Sequence, residues 1–476
     1  MELSKKIGLA LGPTIFIITN LLPFELVSEK GDPVISIAIW MIVWWITEAV
    51  SISVTALLPL LLFPLLKVMP MEEVGANYGS PIVFLFFGGF VMALALEKVN
   101  LHKRIALSII KITGTTPNKV VLGFMIATAV LSMWISNTAS TVVMLPIAMS
   151  VIQLLVNDTD GFTKRDRNFA LSVMLGIAFS ANAGGIATVI GTPPNSVLIG
   201  LLENEYNIEI SFLKWMIIGL PFSIIMVSIC YLALVKLMYP NKGLKFNASK
   251  SIIDHELQKL GPATRKEKMV LVIFGITTFL WIFRTVINSI IPNLGISDAM
   301  ISIFAALALF TIPFSIKKGL FILDWRDTKN LAWGILVLFG GGLALAKGMS
   351  VTGIVDLVAS TIAESEISIL FTASLLIFLM LFMTELMSNV ALVAVLAPVV
   401  AGIALGLGLP IEHLLIPITM ASSCAFMLPM ATPPNAIVFA SGYIKVYEMA
   451  RVGFLLNIIA IVLLIGLFQF VLPLLF

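Results

Sequence analysis

The sequence predicts an all-α polytopic membrane protein, with about eleven transmembrane helices and two re-entrant helical hairpins arranged as two inverted repeats. Three observations carry that prediction. First, 59% of the 476 residues are apolar and only 12% are charged; apolar stretches of roughly 17 to 25 residues recur along the chain, the length a bilayer-spanning helix needs. Second, Lys and Arg gather in alternate loops. Third, "WISNTAST" at 134–141 and "MSNVALVA" at 387–394 set the same Ser-Asn dipeptide between two apolar runs, once in each half.

From the N-terminus, Lys5 and Lys6 precede an apolar run over 7–24 that no small-residue cleavage site follows, so 1–30 reads as an N-terminal membrane helix rather than a signal peptide. Further spans are expected near 34–50, 52–66, 81–97, 168–202 and 212–235, completing a first repeat over 31–238. A polar stretch at 239–268 reads as a cytoplasmic linker. A second repeat over 269–476 follows, with spans near 269–289, 298–316, 333–347, 413–442 and 452–474. Cytoplasmic loops collect Lys and Arg. With the N-terminus inside, the inner face receives 24 of the 29 basic residues, while Glu203, Glu205, Glu209, Glu364 and Glu366 fall outside. This topology is the one expected of a multi-pass protein of the cytoplasmic membrane. The net charge of +3 is thereby explained by topology and gives no reason to expect a nucleic-acid partner.

That count requires two segments to enter the bilayer and return. Segment 118–156 is flanked by Lys119 on one side and by Lys164, Arg165 and Arg167 on the other, so both ends read as cytoplasmic. Segment 368–408 lies between Glu364 and Glu366 before it and Glu412 after it, so both ends read as external. Each hairpin then turns at its Ser-Asn. Non-helical backbone at that depth is tolerated only when buried in protein or lining a wet cavity.

The halves are related more widely. "FFGGFVMALALEK" at 86–98 is echoed by "LFGGGLALAKG" at 338–348, "WITEAV" at 45–50 by "WIFRTV" at 281–286, and "GTPPNSVLIG" at 191–200 by "ATPPNAIVFA" at 431–440. An odd number of spans between partners inverts the copy, the architecture of many secondary transporters, whose substrate sites lie at mid-membrane between broken helices. The Thr-Pro-Pro-Asn motifs supply the breaks. Thr192 and Thr432 suit an N-cap, and Pro193 and Pro433 suit the first helical turn, followed by Pro194, Asn195, Pro434 and Asn435. Four half-helix N-termini then converge, offering unpaired N–H groups to an anion, while neighbouring carbonyl ends suit a cation such as Na+. Ser136, Asn137, Thr138, Ser388 and Asn389 add neutral donors, which makes a carboxylate site without a buried arginine.

Other chemistries find little support. Cys230 and Cys424 sit in separate apolar runs, and His102, His255 and His413 show no ligand spacing. No catalytic constellation appears within the spans, so an enzyme is not expected. A channel would need a continuous polar path rather than two closing hairpins. Glu48 and Arg284 occupy matching repeat positions and read as scaffold ion-pair residues, whereas Lys347 and Glu385, near predicted ends, read as snorkelling side chains. The glycines of the two Gly-rich motifs read as close helix contacts.

The motifs "WWITEAVSISVTALLP", "FLFFGGFVMALALEKVNLHKRIAL", "SNTAST", "IGTPPN", "MSNV" and "ATPPN" together resemble the divalent anion/sodium symporter family of dicarboxylate and citrate carriers, across essentially the whole chain. The resemblance implies a homodimer in which a mobile domain moves against a scaffold as an elevator. It implies substrate contacts from Ser136, Asn137 and Thr138 and from Ser388 and Asn389. For sodium-coupled members it implies Na+ at these turns and at Ser132 and Thr384, each four residues before its Ser-Asn; no other cofactor is expected. The implied substrates are dicarboxylates of the succinate, malate, fumarate and 2-oxoglutarate class, with citrate or inorganic sulfate as the alternatives. Val390 departs from the family's threonine, and a carboxylate oxygen left unpaired there would cost about 1–3 kcal/mol. Carrying a dianion inward against 100 mV costs roughly 2 × 2.3 kcal/mol, so cations must enter with it or another dianion must leave. The sequence leaves symport and exchange open.

Overall fold

The apolar runs fold almost entirely as helix in the computed structural model, which describes every residue except 1–2, 22–26, 29, 115, 157–161, 242–248, 316, 318 and 366. Six helices among the described residues are long and apolar enough to cross a bilayer: Met71–Lys98, Phe212–Met238, Arg265–Ile290, Trp333–Val351, Asn389–Gly406 and Val446–Leu475. Shorter apolar helices make up most of the remainder. The N-terminal helix covers Leu3–Leu21, and the rest of the expected 7–24 run lies outside the described residues, as does Glu366.

The elements recur in order. Pro81–Lys98 followed by Leu101–Thr113 has its counterpart in Trp333–Val351 followed by Ile354–Ala363. The hairpin Pro117–Ser132 and Asn137–Val156 matches Ile369–Met383 and Asn389–Gly406. Phe212–Leu232 matches Val446–Gly466, and both run on into a π-helical turn, Ala233–Met238 and Leu467–Val471. Residues 168–202 and 413–442 are each broken at the Thr-Pro-Pro-Asn motif, as expected, into Lys164–Gly185 with Pro193–Tyr206 and Ile411–Ser422 with Pro433–Phe439. Two other expected spans are corrected. The span at 52–66 is split into Ile52–Thr55 and Leu58–Leu65. The span at 298–316 ends at Thr311, where Pro313–Ser315 pairs with Leu320–Phe321 in a small antiparallel ribbon. Leu101–Thr113 and Ile354–Ala363, read from sequence as loops, are amphipathic helices set off by left-handed residues at Asn100 (φ 59°) and Gly353 (φ 79°).

Polar contacts respect the sides that charge counting assigns. Every ion pair among the described residues joins two segments expected on the same face. At the expected inner face the linker contains a helix, Ser249–Leu260, docked on Leu101–Thr113 through Lys103–Glu256 (2.9 Å) and Lys111–Asp254 (2.7 Å). Arg104 pairs with Glu267 at 2.6 Å, and Lys98 with Asp327 at 2.6 Å. At the expected outer face Arg284 holds Glu209 (2.5 Å) and Asp298 (3.2 Å), and Lys347 meets Glu205 at 3.4 Å. Arg284 and Glu48 therefore do not pair with each other. Glu48 sits 3.8 Å from Lys5 instead. The Gly-rich motifs bring backbones together: a Cβ at Gly88 would strike the main chain of Ser302, and one at Gly341 the carbonyl of Ala56.

Candidate functional site

Each Ser-Asn becomes a turn because serine closes a new helix while the chain before it has lost its hydrogen-bonding register. Ser136 Oγ accepts from Ala139 N at 3.1 Å, and Ser388 Oγ accepts from Ala391 N at 3.5 Å, so both serines cap the second arm of their hairpin. A capping hydroxyl still has its proton to donate. The Thr-Pro starts are less alike. Thr432 Oγ1 accepts from Asn435 N at 3.4 Å, whereas Thr192 makes no side-chain cap, contrary to the expectation for it.

These four helix starts meet at one cavity of about 810 Å³. Its walls include Ser136, Asn137 and Thr138 from the first turn and Ser388, Asn389 and Val390 from the second. Thr192, Pro193, Thr432, Pro433 and Pro434 come from the broken spans. Trp45, Thr47, Glu48, Ile335 and Leu338 close it from the other repeat elements, with Ser4 and Lys5 from the N-terminal helix. Lys5 is the one basic side chain lining it among the described residues. Ligand cavities usually span roughly 300 to 1,000 Å³, so a small dianion fits with room for water.

Three motif residues lie elsewhere than expected. Pro194, Asn195 and Asn435 are buried and do not line the cavity. Asn195 Nδ2 donates to Thr188 O at 2.9 Å, and Asn435 Nδ2 donates to Leu428 O (3.0 Å) and Ala425 O (3.1 Å). These asparagines satisfy the carbonyls that each break leaves without helical partners. Sequence reading missed Asn182, whose amide reaches from the first broken span to Ala425 O (3.0 Å) and Thr432 Oγ1 (3.0 Å) of the second. Its signal was a lone Asn in the apolar run "FSANAGG".

Behind each turn lies a set of oxygens. Ser132 Oγ donates to Ala181 O at 2.7 Å, and Thr384 Oγ1 donates to Ser422 O at 2.7 Å, matching donors whose acceptors are offset by one residue between the repeats. Asn137 Oδ1 lies 2.5 Å from Ser132 Oγ. Turning that amide over lets its nitrogen donate to Ser132 Oγ (2.5 Å), Ala181 O (3.2 Å) and Gly191 O (3.3 Å). A cation among the four oxygens would satisfy the same cluster without the turn, and the donor set, hydroxyl, amide and carbonyls, suits a hard monovalent ion. The second turn differs: Asn389 Oδ1 accepts from the adjacent Val390 N at 2.9 Å, and Val390 is 7% exposed.

Glu385 is not at an interface. It is buried beside Thr384 and accepts from Phe426 N, Met427 N (each 2.9 Å), Leu428 N (3.1 Å) and Asn457 Nδ2 (2.7 Å), which corrects the snorkelling expectation. Lys347, by contrast, reaches Glu205 at the expected outer face.

The sodium:sulfate symporter transmembrane region matches residues 4–476. The chain is 40% identical over 479 residues to the sodium-dependent dicarboxylate transporter SdcS of Staphylococcus saprophyticus, covering 99% of this chain and 92% of that one. It is 39% identical to SdcS of Staphylococcus aureus strain USA300, covering 98% and 91%. Among solved structures, the fold resembles the MtrF efflux pump of Neisseria gonorrhoeae (TM-score 0.58, 14% identity, 98% of this chain and 94% of that one). It also resembles the YdaH transporter of Alcanivorax borkumensis (TM-score 0.52, 13% identity, 83% and 87%). With paired Ser-Asn turns, paired Thr-Pro breaks and a match that runs from residue 4 to the last, this chain belongs to the sodium:sulfate symporter family, the divalent anion/sodium symporters.

Proposed function

We propose that this protein is a secondary active carrier that moves small dicarboxylates across the cytoplasmic membrane together with Na+. One observation carries the reading: two serine hydroxyls, two asparagine amides and the N-terminal turns of four helices face a single cavity whose walls offer no arginine. Such donors bind a carboxylate at each end without an ion pair, so the substrate leaves again at little cost. The names of the relatives, sodium-dependent dicarboxylate transporters, favour succinate-like acids over sulfate and citrate. The charge argument requires at least two monovalent cations per dianion to overcome the membrane potential. Ser132 and Asn137 hold one in the oxygen cluster described above, with Ser136 at the adjoining turn as a further candidate ligand, and Thr384, Ser388 and Asn389 form the candidate second set.

The carrier works as a homodimer with the N-terminus inside. The two hairpins, the two broken spans and the helices after them form the moving body, which slides as an elevator along a scaffold made of the remaining spans. Four polar contacts cross that boundary within residues 204–212: Asn204 Nδ2 to Ser80 Oγ (3.0 Å), Glu205 to Lys347, Glu209 to Arg284, and Phe212 N to Asp298 Oδ2 (2.9 Å).

Uptake of labelled succinate into proteoliposomes, with and without an inward Na+ gradient and with and without internal succinate, tests the reading. Gradient-driven accumulation and trans-stimulation are expected. Uptake that needs internal dicarboxylate and ignores Na+ would make it an exchanger, the second reading, which Val390 favours by removing a hydroxyl from the second turn. Competition by sulfate rather than by unlabelled succinate would replace the substrate.

A further inference from the structure

The inverted repeat contains its own control, because whatever one half does without is not required by the fold of the other. A glycine of the following helix packs against each break. Gly219 faces the carbonyls of Ile186 and Ala187, and Gly453 faces the carbonyl of Phe426 and the main chain of Met427. Ile186 and Phe426 each stand six residues before the Thr of their Thr-Pro-Pro motif. With Ser388 aligned on Ser136, Glu385 corresponds to Met133, and with Gly453 aligned on Gly219, Asn457 corresponds to Ser223.

The first half joins its turn to its break with neutral groups. Thr188 Oγ1 donates to Met133 O at 2.5 Å and accepts from Gly191 N at 3.0 Å, while Trp215 Nε1 donates to Ile186 O at 2.9 Å. Ser223 Oγ reaches no protein partner among the described residues. The second half uses a carboxylate instead. A carboxylate only accepts, and Glu385 takes four donors: three successive main-chain N–H groups and the Asn457 amide. Successive N–H groups converging on one anion make a nest, which fixes the direction of the unwound chain. None of the ion pairs among the described residues involves Glu385, so these neutral donors hold it.

The position of this nest matters. The chain it orients, Phe426–Leu428, runs directly into Met430, Ala431 and Thr432 on the cavity wall, while Glu385 itself lies three residues before Ser388. We propose that Glu385, held by Asn457, is a positioning residue for the second half-site: it sets the distance between the turn at Ser388–Asn389 and the break at Met430–Thr432, and thereby the affinity for cation and carboxylate there, without touching either. The proposal rests on the Na+-coupled dicarboxylate reading given above. It also explains why the second turn tolerates Val390, since this half-site is organised from behind by a charge that the first half lacks.

The test uses the full-length protein in proteoliposomes and measures half-saturating Na+, half-saturating succinate and the maximal rate per folded molecule. Glu385→Gln keeps the shape but leaves either Leu428 N, or Phe426 N, Met427 N and the Asn457 amide, without an acceptor. Both half-saturating concentrations are expected to rise about tenfold, the worth of one lost charge-assisted hydrogen bond, with a smaller change in maximal rate. Asn457→Ser, which installs the first repeat's residue and leaves the nest in place, should shift both constants the same way by a smaller factor. Wild-type constants in folded Glu385→Gln, even with a reduced maximal rate or yield, overturn the proposal. Should Glu385→Gln not fold, wild-type constants in Asn457→Ser overturn it on the same terms. Failure of the underlying reading looks different, because the unmutated protein would then show no Na+-driven succinate uptake.

Discussion

At the scale of single residues, the two Ser-Asn turns are chemically unequal. Asn137 has an amide whose oxygen faces other oxygens, while the oxygen of Asn389 is already taken by the adjacent backbone. Asn137→Ala should therefore lose both a carboxylate donor and a member of the oxygen cluster. Its half-saturating succinate and Na+ should each rise tenfold or more, whereas Asn389→Ala, which removes an oxygen already engaged by Val390 N, should raise half-saturating succinate as much but half-saturating Na+ by a smaller factor. Isotherms on purified protein distinguish the two, and equal effects on Na+ would contradict the difference. Val390→Thr restores a hydroxyl at the second turn. A several-fold gain in succinate affinity is expected, and no change in either isotherm would mean that the position does not reach the ligand. Ser136, Asn137, Ser388 and Asn389 were legible because a polar dipeptide inside an apolar run is conspicuous and occurs twice. Asn195 and Asn435 were legible as motif members but not as backbone braces, since an asparagine at a helix start suits either role until the orphaned carbonyls are located.

Among the elements, the hairpins and the linker make separate predictions. Single cysteines at Lys119 and Lys164 should be labelled only from the cytoplasm, and one at Glu412 only from outside. Labelling of Lys119 and Lys164 from opposite faces would mean that the first hairpin crosses the membrane. The linker helix is held by charge. Hydrogen bonds from Lys259 and Lys103 hold the Glu256 carboxyl down to about 2 from its ordinary 4.5. A carboxyl depressed on folding stabilises above its unfolded value and loses that contribution as pH falls through the folded one. Docking of Ser249–Leu260 should thus be intact at neutral pH and weaken between about pH 4.5 and 2, read as increasing protease cleavage or hydrogen exchange in this segment. The exchange profile of Glu256→Gln should lose that transition. The amphipathic helices Leu101–Thr113 and Ile354–Ala363 escaped sequence reading because each is short and follows a long apolar span, so hydropathy merges it with a loop.

On the scale of the whole molecule, the elevator reading demands that the contacts at 204–212 break and reform during transport. Ser80→Cys with Asn204→Cys places two thiols where a hydroxyl and an amide now touch. Oxidative cross-linking should abolish uptake, and reduction should restore it. Full activity in the cross-linked protein would show that this segment does not move against Ser80, and the boundary of the moving body would have to be redrawn. The same-side pattern of the ion pairs is what the expected order of spans requires, and the cysteine labelling above decides which face is inside.

What the sequence determined by itself is local or additive: which stretches are apolar enough to enter a bilayer, which loops carry the basic residues, and which motifs occur twice. Hydropathy and charge are summed along the chain, so these properties survive without coordinates. The tertiary structure decided which atoms face the cavity. Glu385 shows why: its partners lie 41 to 43 residues away at the break and 72 residues away at Asn457, and from sequence alone it was a charged residue near a helix end. A buried carboxylate is stable only where several N–H groups converge, and that convergence is made by three separate elements meeting in space.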